Sequence, residues 1–147
     1  MLKGIDPVIA PALLEMLRSM GHGDEIVIAD ANFPAATMGR RLIRADGVDA
    51  VRMVRAIVQL LPLDDFVQAA AFTMAVVDSP DREPPIVGEF RRVLTHEGYT
   101  GPIEPLERSQ FYDRAKLASA IVATGELRLY GNLILRKGVL RYAPSDQ

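Results

Sequence analysis

The chain has 147 residues, of which 49% are hydrophobic, which is enough for one domain with a buried core and argues against disorder. Its net charge of -2 gives no electrostatic basis for binding nucleic acid or an anionic membrane surface. It has no cysteine, which excludes disulfides, thiol catalysis and zinc–thiolate sites and favours a cytoplasmic location. We therefore expect a single domain over residues 1–147.

Hydrophobic periodicity predicts helices and strands that alternate along the chain. Pro11 suits the first turn of a helix, and Gly21 is predicted to end that helix in a left-handed conformation. In chain order, the predicted elements are a helix over 11–20, strands over 26–29 and 42–45, a helix over 51–61, a strand over 72–77, a helix over 86–94, an extended piece near residue 103, a helix over 109–117, and strands over 120–123 and 133–135.

This alternation is typical of an α/β protein. The run over 26–29 is entirely apolar, as expected for a strand that is buried on both faces of its sheet. We therefore predict a single layered domain in which a mixed, mostly parallel sheet is flanked by helices.

The segment Met20-Gly21-His22-Gly23-Asp24-Glu25 is the first candidate site. A histidine can exchange a proton near neutral pH, and the two flanking glycines leave room for another molecule to approach. Two interpretations of His22 remain open. It can act as a proton donor with Asp24 as its orienting carboxylate, or it can simply satisfy the last carbonyls of the preceding helix.

A second group of polar residues follows strands or precedes a helix. Asp30 ends the apolar run over 26–29, where it can bind the hydroxyls of a ligand or cap the next segment. Tyr130-Gly131-Asn132 precedes the last strand and offers donors and acceptors suited to neutral hydroxyls, although a plain turn has the same pattern. Arg108 precedes the helix that bears Tyr112 and, taken alone, is typical of a surface charge.

The sequence gives no pattern for a metal site. The two histidines, His22 and His96, are far apart and lack the HxH or HxxxH spacing of paired ligands. His96 ends an amphipathic helix, which favours a capping role. The segment Gly21-His22-Gly23 also lacks the third glycine of a dinucleotide fingerprint and precedes a strand instead of following one.

Taken together, these motifs resemble the small sugar mutarotase family that includes L-fucose mutarotase and D-ribose pyranase, and they are closer to the L-fucose branch. The resemblance spans nearly the whole chain and is weakest between residues 64 and 105. The residues that match lie at 1–3, 5, 7, 11, 13–14, 20–26, 30–31, 33–34, 38–39, 43–47, 111–112, 114–115, 121–122, 124–126, 130–132 and 137–139.

The resemblance implies an enzyme that interconverts the α and β anomers of a free monosaccharide, most simply L-fucose, without a cofactor or metal. It implies that His22 is the proton donor, and that Asp30, Arg108, Tyr130, Gly131 and Asn132 bind the sugar. It also implies a homo-oligomer, a decameric ring, with each pocket near a subunit interface. The alternatives are D-ribose pyranase activity, a non-catalytic monosaccharide-binding module, and a structural ring protein.

Overall fold

The computed structural model describes residues 1–143. Its helices and strands alternate as the sequence predicts. They are α1 (Pro11–Ser19), β1 (Glu25–Ala29), α2 (Ala35–Met38), β2 (Leu42–Ala45), α3 (Ala50–Val58), β3 (Ala71–Met74), α4 (Pro85–His96), β4 (Ile103–Leu106), α5 (Arg108–Leu117), β5 (Ala120–Thr124) and β6 (Leu133–Arg136). No helix within residues 1–143 is long and apolar enough to cross a membrane.

The strands form one six-stranded sheet in the order β2-β5-β1-β6-β3-β4. Strand β6 is antiparallel to both of its neighbours, β1 and β3, and the other three pairings are parallel. The predicted mixed, mostly parallel sheet is therefore confirmed. Strand β1 lies near the middle, and its residues Ile26 to Ala29 are fully buried, because helices cover both faces.

The two faces of the sheet have separate hydrophobic cores. Ile26 and Ile28 of β1 point to the face that is packed by α1, α3 and α4. Val27 and Ala29 point to the opposite face, which is packed by α2, α5 and Phe33. Side chains alternate between the faces of a strand, so β1 contributes to both cores.

Three sequence predictions need correction. Helix α1 ends at Ser19 with Met20 extended, and the left-handed glycine is Gly23 (φ 86°) instead of Gly21. The short helix α2 follows the loop at Asn32-Phe33-Pro34 and was missed, because four residues are too few for a helical period. Strand β3 ends at Met74, not at residue 77, because its partner β6 begins at Leu133, opposite Thr73.

Candidate active site

Asp30 and Asn132 form a reciprocal pair where β1 ends and β6 begins. The Asp30 backbone N–H donates to Asn132 Oδ1 at 2.8 Å, and Asn132 Nδ2 donates to Asp30 Oδ2 at 3.0 Å. The backbone N–H of Asn32 donates to the other carboxylate oxygen, Asp30 Oδ1, at 3.0 Å. Both side chains are buried, so the pair has one fixed arrangement although its members are 102 residues apart.

The environment of Asp30 disfavours its negative charge. Burial raises the pKa of this carboxyl above its ordinary value, and the hydrogen bonds from Asn32 and Asn132 offset only part of that effect. A buried carboxylate with a raised pKa is typical of functional sites, because it is a stronger base and acceptor than a solvated one.

The loop before β6 presents Tyr130 in an unusual backbone conformation. Its φ of 61° lies in the left-handed region, which non-glycine residues rarely adopt. The backbone N–H of Val77 donates to the Tyr130 hydroxyl at 3.1 Å, which fixes the ring. Gly131 is confined, since a Cβ at this position would lie 2.8 Å from Glu126 Cγ.

Glu126 anchors this loop from within the protein. Its side chain is buried and accepts hydrogen bonds from the backbone N–H and the guanidinium of Arg128, at 2.9–3.0 Å, and from the N–H of Ala50 at the start of α3. The backbone N–H of Ala31 donates to the Glu126 carbonyl at 2.9 Å, which ties the loop to the residue after Asp30. The two segments that contain the predicted sugar-binding residues are thus linked directly.

A cleft of about 220 Å³ lies over these groups. Arg108, the first residue of α5, is exposed at its rim, and no carboxylate within residues 1–143 forms an ion pair with it. The lining combines these polar groups with apolar and aromatic side chains: Asp30, Asn32, Phe33, Pro34, Met74, Val77, Arg108, Tyr112, Leu129, Tyr130 and Asn132. An apolar cleft with a few fixed polar groups is the usual form of a small-molecule site. The structure therefore brings together Asp30, Arg108, Tyr130 and Asn132, with Gly131 directly between the last two.

His22 lies beyond the other end of strand β1 from the cleft. It precedes β1, whereas Asp30 follows it, and a strand rises about 3.3 Å per residue, so the two ends are about 17 Å apart. The His22 side chain is 46% exposed, and its Nε2 lies 3.1 Å from Oδ1 of Asp64, a carboxylate that is fully buried. The ring also packs against Phe66, with 5.2 Å between ring centroids.

Asp24 does not contact the His22 ring through any hydrogen bond within residues 1–143. Its Oδ2 accepts the backbone N–H of Gly21 at 2.7 Å and so closes the turn that bears the histidine. Asp64 is the carboxylate beside the ring, and the sequence analysis missed it. It lies between α3 and β3 in a region without periodicity, where nothing in the sequence distinguishes it from the exposed Asp65.

Residues 3–140 match the model of a protein family described as the RbsD / FucU transport protein family. The chain belongs to this family. A member named fucose mutarotase, from Homo sapiens, is 47% identical over 150 residues, covering 97% of each chain.

Two solved structures of family members were determined with sugars. A fucose mutarotase from Streptococcus pneumoniae, in complex with L-fucose, has a TM-score of 0.90 and 47% identity, covering 95% of this chain and 100% of that one. RbsD from Bacillus subtilis, in complex with D-ribose, has a TM-score of 0.72 and 26% identity, covering 96% of this chain and 100% of that one. The family resemblance and the fold inferred from the sequence are both confirmed.

Proposed function

We propose that this protein is a mutarotase that interconverts the α and β anomers of L-fucose. The cleft at Asp30 and Asn132 is the observation that supports this most directly, since buried, mutually bonded acceptors and donors suit neutral hydroxyls. The fucose mutarotase from Homo sapiens matches the chain over nearly its whole length at 47% identity, whereas the relative complexed with D-ribose is 26% identical. These identities favour L-fucose over the alternative, D-ribose.

The reaction needs only proton transfers. The C1–O5 bond of the pyranose breaks and its electron pair takes a proton at O5. The anomeric hydroxyl gives its proton to a nearby carboxylate or water as C1=O1 forms. Rotation about C1–C2 and reclosure then give the other anomer. His22 donates the proton to O5, and general acid–base catalysis of this kind is typically worth about 10²–10⁴-fold. Asp30, Arg108, Tyr130, Gly131 and Asn132 bind the sugar.

The separation of His22 from the cleft implies that the site needs a second copy of the chain. The two groups lie beyond opposite ends of β1, and these ends are about 17 Å apart, which is beyond the reach of one monosaccharide. A neighbouring subunit can bring its own His22, with the exposed Phe66 beside it, to the rim of the cleft. A closed ring with head-to-tail contacts, such as the predicted decamer, repeats this contact at every interface.

Saturation transfer between the anomeric proton signals of L-fucose tests the activity. We expect the purified protein to accelerate exchange for L-fucose more than for D-ribose. His22→Gln should lose about 10²–10⁴-fold of the acceleration while the fold and sugar binding persist, because glutamine keeps polar contacts but does not donate a proton at neutral pH. His96→Gln is the matched control, since His96 is exposed near the end of α4 and should leave the rate unchanged.

Two outcomes would contradict the proposal. Acceleration that is unchanged in His22→Gln would remove the histidine from the reaction. Binding of L-fucose without any acceleration by the native protein would instead favour the non-catalytic monosaccharide-binding module.

A further inference from the structure

The Asp64 carboxylate is built into the protein at the edge of the sheet that bears His22. It is fully buried and accepts three hydrogen bonds: from Arg136 Nε at 2.9 Å, from the Phe66 backbone N–H at 3.0 Å, and from the His22 ring at 3.1 Å. A buried carboxylate with this many donors cannot rotate without leaving some of them unpaired, which costs free energy.

The backbone around Asp64 is fixed by the segment that follows β6. The N–H of Asp64 donates to the Arg136 carbonyl at 3.0 Å, and the N–H of Gly138 donates to the Pro62 carbonyl at 2.7 Å. A Cβ at position 138 would lie 2.5 Å from the Leu63 carbonyl oxygen, so only glycine permits this approach. This contact gives a physical reason for Gly138, which lies in one of the matched segments of the sequence.

The same segment also holds the turn that bears His22. The N–H of Gly23 donates to the Lys137 carbonyl at 2.9 Å, and the N–H of Lys137 donates to the Asp24 carbonyl at 2.8 Å. Residues 136–138 therefore bond to the histidine turn on one side and to the Asp64 loop on the other, which fixes the ring and its carboxylate relative to each other.

The charge of Asp64 determines which ring nitrogen of His22 bears the hydrogen in the neutral state. Burial opposes the charge, but the hydrogen bonds from Arg136, Phe66 and His22 outweigh it and lower the pKa of Asp64 to about 2. At neutral pH Asp64 is a carboxylate that only accepts, so His22 Nε2 must bear a hydrogen. Nδ1 has no hydrogen-bond partner within residues 1–143, and the ring is 46% exposed.

We propose that Asp64, held in place by Arg136 and the approach at Gly138, is a positioning residue that accepts a hydrogen bond from His22 Nε2–H. This bond leaves Nδ1 as the nitrogen that exchanges the proton with the sugar. When His22 is protonated, Nδ1–H is the donor to O5, and after transfer Nδ1 is left with a lone pair that takes up the next proton. This inference rests on the proposed mutarotase function for the identity of the proton acceptor, but the tautomer itself does not depend on it.

The tautomer is measurable in the intact protein without substrate. The chain has two histidines, so nitrogen-15 histidine labelling gives two sets of ring signals, and His96→Gln assigns them. In the neutral state of the native protein we expect a protonated Nε2 and a bare Nδ1 for His22. A native protein with the hydrogen on Nδ1 would overturn the proposal, whatever its activity.

Two variants link the tautomer to the reaction. Asp64→Asn removes the charge, and Gly138→Ala displaces the loop while all the side chains that contact His22 remain. For each variant we expect a mixture of His22 tautomers and a kcat about 10- to 100-fold lower, with little change in KM for L-fucose, as for other groups that orient an active residue. Asp65→Asn is the matched control, because the exposed Asp65 pairs with Arg141 and should leave both readouts unchanged.

The outcomes separate this inference from the function. A native tautomer as expected together with no mutarotation would reject the proposed function only. Normal mutarotation with kcat unchanged in a folded Asp64→Asn or Gly138→Ala variant would reject the positioning role only. If Asp64→Asn does not fold, the native tautomer and Gly138→Ala still decide the question.

Discussion

At the scale of single residues, the two acidic groups of the candidate site have opposite electrostatic environments. Asp64 pairs with Arg136, and its pKa is lowered to about 2, whereas burial raises the pKa of Asp30. For Asp64, the stabilising contribution is present above the unfolded-state pKa of 3.8 and is lost as the pH falls toward 2. For Asp30 the sign reverses, since its contribution is present below pH 3.8 and is lost as the pH rises through the raised pKa.

The raised pKa of Asp30 predicts a pH dependence of sugar binding. As the pH falls, Asp30 should take up a proton while ordinary aspartates, with a pKa of 3.8, are still ionised. Protonation replaces an acceptor of sugar hydroxyls by a neutral acid, so we expect the affinity for L-fucose, measured by calorimetry, to weaken in that range. Asp6→Asn, far from the cleft, should keep this dependence and Asp30→Asn should lose it; persistence in Asp30→Asn would assign the titration to another group.

His22 and Asp30 were predicted from sequence to be site residues because each has a clear local signal. His22 lies between two glycines, and Asp30 ends a continuous apolar strand. Asp64 and Arg136 had no such signal, because their importance comes from a contact between residues 72 positions apart. The predicted role of Asp24 rested on its proximity to His22 in sequence, whereas in the structure its carboxylate accepts the Gly21 backbone N–H.

At the scale of elements, the segment 125–132 forms part of the cleft wall and is itself supported by contacts outside the cleft. Buried Glu126 accepts a hydrogen bond from the first residue of α3, which links the segment to that helix. Glu126 also pairs with Arg128, and Arg128 in turn pairs with Glu89 of α4. The pKa of Glu126 is lowered, chiefly by the hydrogen bond from Arg128, so it is a carboxylate at neutral pH. The proposed sugar-binding residues Tyr130 and Asn132 thus depend on contacts with helices on the far face of the sheet.

This dependence predicts that Glu126→Ala weakens L-fucose binding without any direct contact with the sugar. The variant leaves Arg128 and the Ala50 N–H without their acceptor, so the segment should lose its fixed conformation, and we expect Kd to rise about tenfold or more. Asp49→Ala is the matched control: it removes the cap of α3, where Asp49 Oδ1 accepts the Arg52 N–H at 2.8 Å. That change should cost about 1 kcal/mol of the free energy of unfolding and leave Kd unchanged.

Equal losses of affinity in the two variants would show that general destabilisation of α3, not the Glu126 contact, weakens binding. Isothermal titration of both variants, together with chemical unfolding, separates these effects.

The element boundaries were predictable where one local pattern decided them and not where pairing decided them. Helix α4 begins at Pro85, one residue before the predicted start, since proline suits the first turn. The end of β3 depends on where β6 begins, and the antiparallel direction of β6 depends on the whole sheet. Local periodicity gives no information on which strands pair or in which direction. The sequence therefore predicts the class of the sheet but not its strand order.

At the scale of the whole molecule, a site shared between subunits predicts complementation. His22→Ala lacks the proton donor and Asn132→Ala lacks the sugar contact, so each alone should be inactive. In an oligomer assembled from equal amounts of both, about a quarter of the interfaces join an intact His22 to an intact Asn132, and we expect about a quarter of the native rate. The measurement is anomeric saturation transfer after co-expression.

The control is the same mixture prepared without subunit exchange, by combining the two assembled variants, which should remain inactive. No recovery in the co-expressed oligomer, with mixed composition verified by mass spectrometry, would contradict a shared site and require His22 and the cleft to meet within one chain.

The pairing of β1 with β6 also limits how the positions of the groups at the two ends of this strand pair can change. Asp30 and Asn132 lie at one end of this antiparallel pair, and the His22 turn and Arg136 lie at the other, with Glu25 opposite Arg136 and Ile28 opposite Leu133. A slip of one residue would turn buried side chains to the wrong face and displace both groups at once. We therefore expect changes in sugar preference to arise in the connecting segments, while the ladder between them keeps the spacing between His22 and the cleft constant.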